Sequence, residues 1–318
     1  MSSLGSRASG STSLLVTFVA GLLLASFAGL DLVSQGATIT ACLALLIFGV
    51  PHGSLDIEVL RNQHRYGARR IAAVLTLYVG IAALMYLLWH VAPIAALAAF
   101  LVAAVVHFSE DWDDVGSAFL AQGMSAALLT APAFLHLNDM QSLFIALSGR
   151  QDAAVLGDIM LLLAPVGLAI AAIALLSYWQ SGRSERAGAG IAVIAGMALL
   201  PPAVGFAAFF CLYHSPRHFR DALTHLSADQ FRRRWQVIVP LTLAALSLAG
   251  WLFVQEARSG VLAQVVAASF MTLSVLTVPH MAVPFIVTYL FGERGPLTSI
   301  LKDGPVADQG FPRVSAQG

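Results

Sequence analysis

Two histidines, His214 and His218, stand four residues apart in the stretch CLYHSPRHFRD, directly after a long apolar run. Residues at i and i+4 share one face of a helix, so the two imidazoles can reach a single point. Imidazole is the commonest side-chain metal ligand and suits iron, copper and zinc. Three more histidines adjoin or interrupt apolar runs: His52 in GVPHGSLD, His107 in VVHFSEDW and His280 in TVPHM. His52 and His107 would join His214 and His218 in a neutral, all-nitrogen donor set drawn from three helices. Carboxylates outside that set would offset the charge of a divalent ion. Asp56 follows His52 by four residues, and Glu110 and Asp111 follow His107 by three and four. The blander reading makes each histidine the wet end of a helix; convergence of several argues against it.

The elements that must position these groups are membrane helices. Of 318 residues, 58% are hydrophobic and 11% charged, and mean hydropathy is +0.81; ordinary globular chains are about half apolar and about a quarter charged. The apolar residues fall in runs of roughly 15–25, the length that crosses a bilayer core. The expectation is an all-α, polytopic integral membrane bundle of about ten transmembrane helices. The spans expected are 13–31, 35–55, 70–90, 92–110, 116–136, 153–179, 186–200, 203–221, 236–255 and 261–291. Residues 1–12 and 292–318 read as tails on a single membrane domain, 13–291. The first apolar run reads as a span rather than a removed signal. A net charge of zero gives no reason to expect nucleic acid. Cys42 and Cys211 both lie in apolar runs, so no disulfide framework is indicated. Phosphate loops, a nucleophile elbow and paired-cysteine motifs are absent from the sequence.

Residues 188–213 contain Pro201–Pro202 and read either as one kinked span or as two short ones. Arg61, Arg65, Arg69 and Arg70 make one loop basic, and Arg217, Arg220, Arg232, Arg233 and Arg234 another. The positive-inside rule places both loops in the cytoplasm only if 188–213 crosses twice. His52, His107, His214, His218 and His280 then share one depth, toward the cytoplasm. His64 and His225 fall in loops, and His90 and His136 at outer helix ends. Segment 137–152 is too short and polar to span and is expected in the interface. Trp112, Trp179, Trp235 and Trp251 read as interfacial anchors. Most carboxylates of HFSEDWDD are expected to face water. Phe206, Phe209, Phe210 and Phe270 would line an apolar pocket or simply pack.

In order along residues 48–281, the motifs FGVPHGSLD, VVHFSEDW, FCLYHSPRH and LTVPHM resemble those of the Brp/Blh family of bacterial membrane β-carotene 15,15'-dioxygenases. The second motif departs from the family pattern, reading HFSED where a glycine follows HF. The resemblance implies a multi-pass inner-membrane enzyme that uses Fe(2+) and O2 to split β-carotene centrally into two molecules of all-trans-retinal, which pass to a rhodopsin. It implies iron ligands at His52, His107, His214 and His218, with His280 near the metal. Two alternatives stay open at this point. A two-iron hydroxylase or desaturase of another lipid wants about eight histidines at comparable depth. A transporter or carrier wants charges at mid-membrane or paired repeats, whereas Asp31, Asp56, Glu110 and Asp158 fall near expected span ends.

Overall fold

The computed structural model describes residues 2–49, 67–224, 228–255 and 260–291, and every regular element among them is helical. In chain order these are α1 (Ser2–Phe27), α2 (Gln35–Ala44), α3 (Ala68–Val91), α4 (Pro93–Ser109), α5 (Ala118–Thr130), α6 (Ala133–Ser148), α7 (Val155–Gln180), α8 (Ser184–Leu199), α9 (Pro202–Phe209), α10 (Ser215–Thr224), α11 (Ala228–Arg233), α12 (Trp235–Gln255) and α13 (Val261–Phe291). Two π turns, Leu45–Gly49 and Phe210–His214, extend α2 and join α9 to α10; a 3-10 turn, Glu110–Val115, follows α4.

Among the described residues, five stretches are long and apolar enough to cross a membrane: Arg69–Val91, Pro93–Val115, Gln151–Gln180, Trp235–Gln255 and Val261–Val283. A bent pair, Ala118–Thr130 with Ala133–Ser148, forms a sixth if counted as one span. Among the described residues the other expected spans are shorter helices or pieces of helix, and the end of 35–55 lies outside those residues. The expected span 116–136 stops at Thr130, because Pro132 ends the helix and the chain turns by 70° into α6. Segment 137–152 presents one face to the protein: Met140, Phe144 and Leu147 of α6 are buried in the main core, while Asn138 and Ser142 are exposed.

The Pro-Pro pair reverses the chain. Gly205 approaches Gly196 O and Met197 Cα, each 3.4 Å from where a Cβ would stand. Along one helix, nine residues would separate these groups by about 13 Å. α9 therefore folds back on α8. Elsewhere, α13 is held against α3 by Trp89 Nε1 donating to Ser274 Oγ at 2.7 Å and by Tyr78 Oη donating to Leu276 O at 3.0 Å. His280 sits one helical turn past that second pin.

Helices α5 and α7 meet at glycine. A Cβ on Gly167 would lie 3.0 Å from Ala127 N and 3.2 Å from Ala127 Cα, so only a residue without one lets the backbones come this close. Gly188 on α8 has open space around it. Gly167→Ala is expected to cost about 1–3 kcal/mol by overpacking. Gly188→Ala is expected to be neutral or to stabilise by up to about 1 kcal/mol through helix propensity. Thermal unfolding in detergent compares the two; equal effects would contradict the close approach.

Candidate metal centre

Two legs of chain build the site. The first is the end of α4, where His107 is fully buried. The helix then tightens into the 3-10 turn and is closed by Gly116 at φ 85, a left-handed conformation that glycine adopts without strain. Tightening brings Asp111, four residues after His107, into complete burial. The second leg is the π turn Phe210–His214 and the start of α10. Pro216 has no backbone N–H, and its ring disfavours a regular turn before it; the Ser215 N–H bonds to Phe210 O, five residues back. His214 is fully buried where this wide turn ends, and His218 follows one turn later with its side chain 22% exposed.

The legs meet through their imidazoles. His214 Nδ1 donates to Asp111 Oδ2 at 2.7 Å, and His214 Nε2 lies 3.1 Å from His107 Nε2. The His218 ring lies tilted against that of His214, ring centres 4.3 Å apart, and stands 5.6 Å from that of His107. His280 reaches in from α13, its ring centre 5.4 Å from that of His107. Glu110 Oε2 lies 3.8 Å from His107 Nδ1, at the exposed margin. The structure thus brings together His107, His214, His218, His280, Glu110 and Asp111. His52 and Asp56 lie outside the described residues.

This donor set fits a divalent metal ion. Bonds of about 2.1 Å at right angles put neighbouring imidazole nitrogens about 3.0 Å apart, close to the His107–His214 separation. Asp111 fixes the proton on His214 Nδ1, so Nε2 presents its lone pair toward His107, as metal-bound histidines usually require. Asp111, His214 and His218 also offer donor atoms within 4.8 Å of one another. Asp111 Oδ1 is buried and accepts no hydrogen bond among the described residues; His218 Nε2 stands 3.6 Å away and Arg217 Nε 3.9 Å. Because Oδ2 is already taken by His214, the carboxylate serves best as the group that aims the imidazole.

Several neighbours had no signal in the sequence reading. Arg186, on the first turn of α8, donates to Asp111 O, to both oxygens of Asp114 and to Tyr213 Oη. Trp112 is fully buried and stacked on Tyr213, ring centres 5.7 Å apart, so it is no interfacial anchor; Trp179, Trp235 and Trp251 are exposed. Among the carboxylates expected to face water, Asp111 does not, and Asp114 is bound by Tyr178 Oη at 2.5 Å as well as by Arg186. Both corrections have one cause: the 3-10 turn rotates these side chains inward, where α8 supplies a guanidinium. His90 is exposed against Tyr86, and His136 lies by Asp139 and Leu199 O, both away from the cluster.

A narrow apolar cleft of about 60 Å³ lies beside the site, walled by Phe100, Ala104, Met140, Phe144, Phe206 and Phe270 among others. Ala104 is one turn before His107, and Phe206 stacks on Phe210, which stacks on His214. A second apolar groove lies along Cys211 of the π turn and Ser215 and Phe219 of α10, and is closed on its other side by α12.

The beta-carotene 15,15'-dioxygenase family model matches residues 43–286. A beta-carotene 15,15'-dioxygenase from the uncultured marine bacterium 66A03 is 28% identical over 256 residues, 75% of this chain and 90% of the relative. No solved structure matches. The matched stretch begins before His52 and ends beyond His280, so it takes in both legs of the site, the cleft beside them and the turn of α13 that faces His107: the chain is an enzyme and belongs to the beta-carotene 15,15'-dioxygenase family.

Proposed function

We propose that the chain splits β-carotene at its central 15,15' double bond with dioxygen, giving two molecules of all-trans-retinal, and that Fe(2+) is held by His107, His214 and His218 together with His52. The observation that carries this reading is the buried pair of imidazole nitrogens 3.1 Å apart, with His214 aimed by Asp111. Bound iron supplies open coordination positions at which dioxygen becomes reactive. The chain's own residues do the rest. Phe108, Phe209 and Phe210 surround His214 and keep water from its face. The cleft beginning one turn from His107 offers aliphatic and aromatic walls to a hydrocarbon that has no polar handle. Both atoms of dioxygen end in the two aldehydes, so the reaction needs no external reductant.

The same reading places a ten-helix bundle in the inner membrane, with the histidine cluster toward the cytoplasm and retinal passed to a rhodopsin. Reversal of the chain at Pro201–Pro202 supports two crossings in 188–213. A two-iron hydroxylase is disfavoured because His90 and His136 lie apart from the cluster. The test is product analysis with purified protein and β-carotene. Retinal alone, dependent on iron and dioxygen and formed without reductant, is the expected result. Two unequal aldehydes, or an intact hydroxylated carotenoid, would overturn it.

A further inference from the structure

The two legs of the site come from distant parts of the chain, and imidazoles must be held to about half an ångström to bind well. Arg186 is 13% exposed. Its Nη2 donates to Asp111 O at 2.5 Å and to Asp114 Oδ1 at 2.7 Å, and its Nε donates to Asp114 Oδ2 at 3.0 Å. These three bonds grip the first leg. Its Nη1 donates to Tyr213 Oη at 3.0 Å, on the second leg, in the residue directly before His214. The guanidinium also lies 5.2 Å from the centre of the Trp112 ring, which itself stacks on Tyr213. Arg217 adds one bond to the same Asp111 carbonyl, at 2.8 Å, from α10.

We infer that Arg186 is a positioning residue: it sets the distance between the leg carrying His107 and Asp111 and the leg carrying His214 and His218, and so sets metal affinity. The role rests on the metal-binding reading above. A planar fork can satisfy partners on both legs at once and hold them in one geometry, whereas a lysine ammonium is a point charge on a flexible stem. Charge alone does not replace it. Nor does Arg186 touch the reacting atoms; it acts through Asp111 and Tyr213.

The full-length protein, purified in detergent and stripped of metal, is titrated with Co(2+) and followed by visible absorption, with size-exclusion profile and unfolding temperature recorded for each variant. Wild type is expected to bind, and His214→Ala to lose binding. Arg186→Lys should bind about 10–100-fold more weakly, the usual penalty for losing an outer partner of a metal ligand, with a displaced absorption band. Tyr213→Phe keeps the stack on Trp112 and loses only the hydroxyl, so a weakening of about fivefold is expected, the worth of one hydrogen bond. Wild-type affinity and spectrum in both Arg186→Lys and Tyr213→Phe would overturn the inference while leaving the metal site standing. Should Arg186→Lys not fold, Tyr213→Phe decides alone, and unchanged affinity there overturns it. Absence of binding in wild type, or normal binding in His214→Ala, would remove the metal reading itself and this role with it.

Discussion

Replacing His214 with alanine is expected to reduce retinal formation by about a thousandfold or more and to strip the protein of iron. The imidazole is fully buried, bonded to Asp111 on one side and 3.1 Å from His107 on the other. Its loss removes a ligand and separates the two legs at the point where they meet. Each 1.36 kcal/mol of lost transition-state stabilisation is about tenfold in rate, and a metal contributes several kcal/mol. His107→Ala, His218→Ala and His52→Ala should behave alike. His90→Ala and His136→Ala should retain activity and iron, since His90 is exposed and His136 is engaged by Asp139. Retinal yield and bound iron, normalised to folded protein, read this out. A His136→Ala variant as damaged as His214→Ala would place the chemistry elsewhere.

Asp111 should rank next, and its substitutions should separate by shape. Asp111→Ala leaves the buried His214 Nδ1–H without its acceptor, a cost of about 1–3 kcal/mol, and frees the ring to turn. Iron affinity should fall by about 10–100-fold, with activity falling alongside. Asp111→Asn keeps an oxygen in reach of Nδ1 and should lie between alanine and wild type. Glu110→Ala should matter less, because that carboxylate is at the exposed margin and 3.8 Å from His107. Iron affinity measured across the three variants gives the order; equal loss in Asp111→Asn and Asp111→Ala would mean that charge, not aim, is what Asp111 provides.

Much of the helical layout was legible because apolar runs and prolines mark it directly. Expected spans 70–90 and 236–255 match α3 and α12 within a few residues, and the Pro201–Pro202 break falls where α8 ends. The gathering of His107, His214, His218 and His280 was legible through the single depth that the expected topology gives them, three at span ends and His280 well inside the last span. What sequence did not reveal is long-range. Arg186 lies 75 positions from Asp111 and 27 from Tyr213, and no local spacing connects them. The acidic run after His107 looked wet because charges cluster there; a 3-10 turn, which shifts each side chain from its α-helical direction, carries Asp111 and Trp112 inside.

The wide turn before Pro216 also keeps time along its helix. In an α-helix, four residues advance about 40° beyond a full circle, so rings at four-residue intervals spiral away from one another. In a π turn, with about 4.4 residues per turn, the same four residues fall about 30° short. Phe206, Phe210, His214 and His218 span two ordinary steps with one π step between them. Their combined drift is about 50° instead of about 120°. The four rings accordingly form an unbroken column, with centres 5.6, 5.1 and 4.3 Å apart in succession. One extra backbone residue per turn thus corrects the phase of the helix, and a hydrocarbon wall at Phe206 runs straight into the imidazoles below it.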